Sequence, residues 1–179
     1  MKEGTHTVQL KQIEQAAERL GGFIHKTAVN SSRTFSELSG AELYLKCENL
    51  QKTGSFKVRG AYNKVASMAA AMGEVPALIA SSAGNHAQGV AYAAAVTGGT
   101  ATIVMPRSTP IAKVQATEGY GAEVILHGDC YDEAYEHALQ VGAERGAALR
   151  HGRLHQAGKP QCAGDRGTGS RGRRHCTLL

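Results

Sequence analysis

The order of apolar runs along this 179-residue chain predicts an α/β fold, an open parallel sheet with helices on both faces. Three observations carry that prediction. Short continuous apolar runs at 77–82 (ALIASS), 101–105 (ATIVM) and 123–127 (EVILH) read as strands buried on both sides. Segments of helical length and composition separate them, as βαβ units require. The apolar share of 42% against 20% charged residues is enough to build a core, and too high for a disordered chain.

The elements follow in order. Residues 8–20 place Val8, Leu10, Ile13, Ala16, Ala17 and Leu20 on one helical face, stopped by Gly21 and Gly22. Residues 42–46 alternate and read as a short strand. A helix over 57–72, rich in Ala and Met, ends at Gly73. Helices are then expected at 86–96, at 111–120 behind Pro110, and at 130–145 with Asp129 as its cap. In such a sheet ligands sit on the loops at the carboxyl ends of the strands. Beyond Leu149 the periodicity stops.

Composition excludes several functions. The net charge of +5 is uneven: residues 150–179 carry six Arg and Lys159 against Asp165, which leaves residues 1–149 at −1. A nucleic-acid footprint needs a basic face, which the body lacks, so no nucleic-acid partner is expected. The first twenty residues hold six charged side chains and no secretory pattern. Residues 75–106 lack Asp, Glu, Lys and Arg, but Asn85, His86, Gln88 and several glycines interrupt them, so no membrane association is expected. Four cysteines without a CxxC pair suit a reducing cytoplasm. His151, His155, Cys162 and Cys176 fit no metal-ligand spacing, and Gly167–Gly172 matches GxGxxG with no strand before it. Neither a metal site nor a dinucleotide site is assigned.

Two segments carry chemistry. Ser81-Ser82-Ala83-Gly84-Asn85-His86-Ala87-Gln88-Gly89 joins the first buried strand to its helix. Its small residues let a ligand approach the backbone, and the helix start aims N–H groups at an anion. The alternative is a capped helix start, with Asn85 satisfying those donors. Gln51-Lys52-Thr53-Gly54-Ser55-Phe56-Lys57-Val58-Arg59-Gly60-Ala61 puts Lys57 in the first turn of a helix. The positive helix end favours a neutral, nucleophilic amine there, against the alternative of a solvated surface lysine.

Together, Ser55–Ala61 (Ser-Phe-Lys-Val-Arg-Gly-Ala) and Ser82–Gly89 (Ser-Ala-Gly-Asn-His-Ala-Gln-Gly) resemble the two signatures of the serine/threonine dehydratases (threonine ammonia-lyases), which are fold-type-II pyridoxal-phosphate enzymes. Lys46-Cys47-Glu48-Asn49, Val104-Met105-Pro106, Pro110–Lys113 and Gly121–Val124 agree with that family, and the resemblance runs over residues 8–149. It implies an incomplete tryptophan-synthase-β-like fold. Residues 1–56 would open a large cofactor domain, 57–149 would form a small α/β domain, and 150–179 an aberrant, disordered basic tail of frameshifted origin. The family's phosphate loop and its pyridine-nitrogen partner have no counterpart in the sequence, so the chain reads as truncated.

The resemblance also implies roles. Lys57 would bind pyridoxal 5'-phosphate covalently and later take the Cα proton. Phe56 would pack on the cofactor ring and Asn85 would hydrogen-bond its phenolic oxygen. Ser82, Gly84, Asn85 and His86 would cradle the carboxylate of an amino-acid substrate. The implied reaction converts L-threonine to 2-oxobutanoate and ammonia, with L-serine giving pyruvate, in a cytoplasmic homo-oligomer; its product would feed isoleucine biosynthesis. Val58 after the lysine and His86 in the loop separate the chain from cysteine and threonine synthases. Ala83 stands where serine racemases carry a second serine, which favours elimination. The remaining alternatives are a serine racemase, a serine-specific dehydratase, and a non-catalytic fragment or interaction module.

Overall fold

A computed structural model describes residues 7–146 and the backbone of 148–149. The expectations for residues 150–179 lie outside the described residues. The chain opens with α1 (Leu10–Leu20), β1 (Val29–Ser31), α2 (Arg33–Ser39), β2 (Tyr44–Lys46) and a 3-10 turn at Glu48–Leu50. β1 and β2 pair antiparallel, with Asn30 opposite Leu45, and all six of their residues are exposed. α2 starts at Ser32, whose Oγ accepts from Phe35 N at 3.4 Å, and stops at Gly40 in the left-handed conformation. Neither β1 nor α2 is visible in the apolar pattern, because α2 spans seven residues and its Phe35 and Leu38 face solvent. In α1, too, the apolar face is only partly covered: Leu20 is buried, while Leu10 and Ile13 are exposed.

The second part of the chain is the predicted alternation, α3 (Lys57–Met72), β3 (Leu78–Ser81), α4 (Asn85–Val96), β4 (Ala101–Met105), α5 (Ile111–Glu118), β5 (Glu123–Leu126) and α6 (Tyr131–Arg145), followed by a strand the sequence did not announce, β6 (Ala148–Leu149). The four strands form one parallel sheet in the order β5-β4-β3-β6. Strand alternation divides its core in two. Leu78, Ala80, Ile103 and Met105 pack on the face covered by α3, α4 and α5, with Val65, Met68, Ala91 and Val114. Ile79 and Val104 pack on the opposite face with Ala134, Ala138 and Val141 of α6. Burying each of Ile79, Ile103 and Met105, which are at most 1% exposed, stabilises the sheet by about 1.5–3 kcal/mol.

Two details differ from expectation. α6 begins after Cys130 rather than Asp129; Glu133 reaches back so that its Oε2 accepts from Asp129 N at 2.7 Å. β5 is an edge strand with only partial burial, so its apolar run is not covered on both sides.

From β3 the chain winds outward through β4 and β5, and α6 then carries it back to β6 on the other side of β3. The winding therefore reverses beside β3. A crevice outside the carboxyl end of that strand is where doubly wound sheets bind ligands. No helix among the described residues is long and apolar enough to cross a membrane.

Polar hooks attach the first segment to the second. Phe23 stacks on Tyr62 with 4.4 Å between centroids, and Tyr92 OH donates to Phe23 O at 2.6 Å. Arg19 Nη1 donates to Asn63 Oδ1 at 2.6 Å, and Tyr120 OH to Lys52 O at 3.0 Å.

Candidate active site

The loop at the carboxyl end of β3 is Ser82–Gly84, and α4 follows at once. Ser82 N donates to Val104 O at 3.2 Å, which ties the loop to the neighbouring strand. Ser82 Oγ accepts from Gly84 N at 3.4 Å. Gly84 is the N-cap of α4, and no side chain caps the helix. The reading of this loop as a helix start capped by Asn85 therefore falls: Asn85 is the first helical residue, exposed, and its amide makes no hydrogen bond among the described residues. A Cβ built on Gly84 would meet nothing within 4 Å, so the loop faces open space. An uncapped positive helix end beside open space is suited to an anion.

Lys57 opens α3. Phe56 precedes it as the N-cap in right-handed helical conformation, again without a side-chain cap. Lys57 N donates to Ser55 Oγ at 3.4 Å, and Ser55 is buried. The Lys57 ammonium lies 4.9 Å from the centre of the Phe56 ring, a cation–π contact of roughly 0.5–1 kcal/mol. Lys57 has no ion-pair partner among the described residues. It is half-buried rather than fully solvated, which disfavours the plain surface-lysine reading.

Gly89 brings the two segments together. A Cβ at this position would lie 3.2 Å from the carbonyl carbon of Lys57 and from Val58 N. With no Cβ, Gly89 lets the second turn of α4 rest directly on the first turn of α3. The loop at 82–86 and the lysine at 57, 25 or more residues apart in sequence, thus share one corner of the molecule. His86 lies half-buried in the first turn of α4.

The loop leading into α3 is itself well held. Gln51 exchanges two hydrogen bonds with the backbone of His25, at 2.8 and 2.9 Å, and Gly54 turns with a φ of +67°. Three hydroxyls are buried without a partner among the described residues: Thr53 in this loop, Ser81 at the end of β3, and Thr109 in the loop after β4. A buried hydroxyl without a partner costs about 1–3 kcal/mol. Thr53 and Ser81 fall within the two segments singled out from the sequence and Thr109 does not; none has a role assigned there, since a serine or threonine gives no sign of whether its hydroxyl will be paired. No group of three or more His, Cys, Asp or Glu side chains among the described residues could hold a metal ion.

Residues 20–160 match the family described as pyridoxal-phosphate dependent enzyme. The chain is 50% identical over 144 residues to an L-threonine ammonia-lyase of Thermotoga maritima, covering 80% of this chain and 36% of that protein. It is 49% identical over 142 residues to an L-threonine ammonia-lyase of Geobacter sulfurreducens, with 78% and 34% covered. Among solved structures it resembles a threonine deaminase of T.th., at 43% identity and a TM-score of 0.70, covering 79% of this chain and 44% of that one. A pyridoxal 5'-phosphate-dependent aspartate racemase superposes with a TM-score of 0.75 at 33% identity, with 80% and 45% covered. The chain spans less than half the length of each of these relatives.

Proposed function

The chain belongs to the family of pyridoxal-phosphate dependent enzymes, and from that premise we propose that it carries the lysine-bearing part of a threonine ammonia-lyase. The reaction is loss of the β-hydroxyl and amino groups of L-threonine, giving 2-oxobutanoate and ammonia, with L-serine as a second substrate giving pyruvate. The observation that carries this reading is the contact at Gly89, which sets the Lys57 turn against the Ser82–His86 loop.

The residues present suit the cofactor, a planar anionic aldehyde. A half-buried amine stands beside an aromatic ring, and an uncapped helix end faces open space. Bound there, pyridoxal phosphate supplies an electron sink for the Cα–H bond. Lys57 would hold it covalently, and its amine would be the base for the Cα proton. Phe56 would pack on its ring and Asn85 would donate to its phenolic oxygen. Ser82, Gly84, Asn85 and His86 hold the substrate carboxylate at the start of α4, so that Cα is presented to Lys57. Residues 1–56 belong to a large domain and 57–149 to a small one in this reading. A cytoplasmic homo-oligomer serving isoleucine biosynthesis remains the accompanying proposal.

The backbone likeness to a racemase favours one second reading, amino-acid racemisation. Ala83 weighs against it, since a methyl group can neither give nor take a proton.

The test uses the purified chain with added pyridoxal phosphate, reduced by borohydride and mapped by mass spectrometry. Stoichiometric modification confined to Lys57 is the expected result, followed by release of 2-oxobutanoate from threonine. Labelling spread over many lysines, or none, would overturn the reading in favour of a non-catalytic chain.

A further inference from the structure

Phe56 caps no backbone donor of α3, Ser55 Oγ accepts from Lys57 N at 3.4 Å, and the turn is crowded with positive charge. The first turn of α3 carries Lys57 and Arg59 and no acidic residue, at the helix end where cations are disfavoured. Besides the α4 contact at Gly89, a second grip from outside the helix holds this turn. Arg59 carries it. Its Nε donates to Glu48 Oε2 at 2.8 Å and its Nη2 to Glu48 Oε1 at 2.7 Å, a two-pronged contact that fixes both direction and rotation.

Glu48 is fixed in turn. Thr27 Oγ1 donates to its Oε1 at 2.5 Å, and the carbonyl of the same buried Thr27 accepts from Lys46 Nζ at 2.6 Å. The side chains of Arg59 and Glu48 are 31% and 17% exposed, whereas the exposed Arg33–Glu37 pair shows 91% and 65%. Shielding from water makes the inner pair the stronger one. Arg59 follows Lys57 by two residues, about 200° around the helix, so its side chain leaves the far side of the turn.

We propose that Glu48, acting through Arg59, is the positioning residue for the Lys57 amine. The clamp closes the 49–56 loop on itself and holds from behind the turn of α3 that α4 meets at Gly89. The purpose of the clamp rests on the reading of Lys57 as the cofactor lysine; its geometry does not.

The test compares the full chain with Glu48→Gln, Glu48→Asp and the exposed-pair control Arg33→Ala. Amide hydrogen exchange is followed in the free chain, and visible circular dichroism during titration with pyridoxal phosphate. In Glu48→Gln, exchange at residues 55–59 should quicken about tenfold with α4 and α6 unchanged, and the Kd for pyridoxal phosphate should rise about tenfold. The circular dichroism of the bound cofactor should weaken, Glu48→Asp should recover most of both effects, and Arg33→Ala should move neither. Unchanged exchange at 55–59, acceleration spread over the whole chain, or faster local exchange with an unchanged Kd would each overturn the proposal. Should the unmutated chain take up no cofactor on Lys57, the reading of function fails, and exchange alone decides the clamp. Local acceleration would then support it and its absence would overturn it.

Discussion

Residues 7–56 and 57–146 of this chain are held together by different physics. The second segment has a two-sided core: Ile79, Val104 and Ala138 under one face of its sheet, Ile103, Met105 and Ala93 under the other, none more than 1% exposed. The first segment turns Leu10, Ile13, Val29, Phe35, Leu38, Tyr44, Leu45 and Leu50 toward solvent. Its β1–β2 pair is a two-stranded ribbon, which is marginal by itself in water. What keeps it in place is a small apolar contact, Leu20 and Ile24 against the core and Phe23 stacked on Tyr62, together with polar hooks onto α3, α4 and the turn after α5: Arg19–Asn63, Glu48–Arg59, Tyr92–Phe23 and Tyr120–Lys52. The comparison teaches that the candidate site lies at the seam. Phe56 and Lys57 stand where the hooked segment becomes the cored one, so the lysine inherits its position from both.

If the comparison is right, the largest effect belongs to the core. Ile103→Ala should cost about 2–5 kcal/mol in chemical denaturation and lower the unfolding midpoint of both segments, because the hooks have nothing to hold to once the sheet is lost. A loss confined to residues 57–146 would break the comparison.

Gly89→Ala comes next. The added methyl meets the backbone of Lys57 at 3.2 Å, and overpacking of this kind costs about 1–3 kcal/mol, offset in part by up to about 1 kcal/mol of helix propensity. A modest fall in the thermal midpoint is expected with a much larger fall in cofactor labelling at Lys57. Equal losses in both measurements would mean that Gly89 serves stability alone.

Acid tests the hooks. The Arg59 guanidinium, with help from the Thr27 hydroxyl, holds the Glu48 carboxyl down to about 2 against its ordinary 4.5. A carboxylate whose folded pKa is depressed contributes its stability above the unfolded pKa and loses it as pH falls through the folded one. The stability difference between the unmutated chain and Glu48→Gln should therefore be full at neutral pH and shrink between about pH 4.5 and 2. Amide exchange across that window should quicken in residues 25–59 before α4 or β4. The reverse order would sink the assignment of stability to the core.

The smallest effect is expected at Leu38, which is 78% exposed. Leu38→Ser should change unfolding by no more than about 0.5 kcal/mol and raise solubility. A cost near that of a buried leucine would show that the face is covered in solution.

Much of this was readable beforehand, and particular residues show why. ALIASS and ATIVM announce strands because an apolar run of that length cannot stay in water, and their pairing follows from the helices between them. The lysine and glycine-asparagine segments announced themselves through resemblance, and the structure sets them together. α2 and β1 were not legible, since their apolar side chains are exposed and short elements carry no period. The three unpaired hydroxyls and the Glu48–Arg59 clamp were not legible either, because a side chain's partner is chosen by what else reaches it.

The sequence by itself determined the strands and helices from α3 to α6, and which residue types stand ready for chemistry. These are local matters of period, capping and composition. Only the tertiary structure decided that β6 returns beside β3, that Gly89 seats α4 on the Lys57 turn, and that Arg59 is gripped from the far side. Each of those contacts joins residues distant along the chain, and its strength comes from burial and geometry that exist only once the sheet has formed.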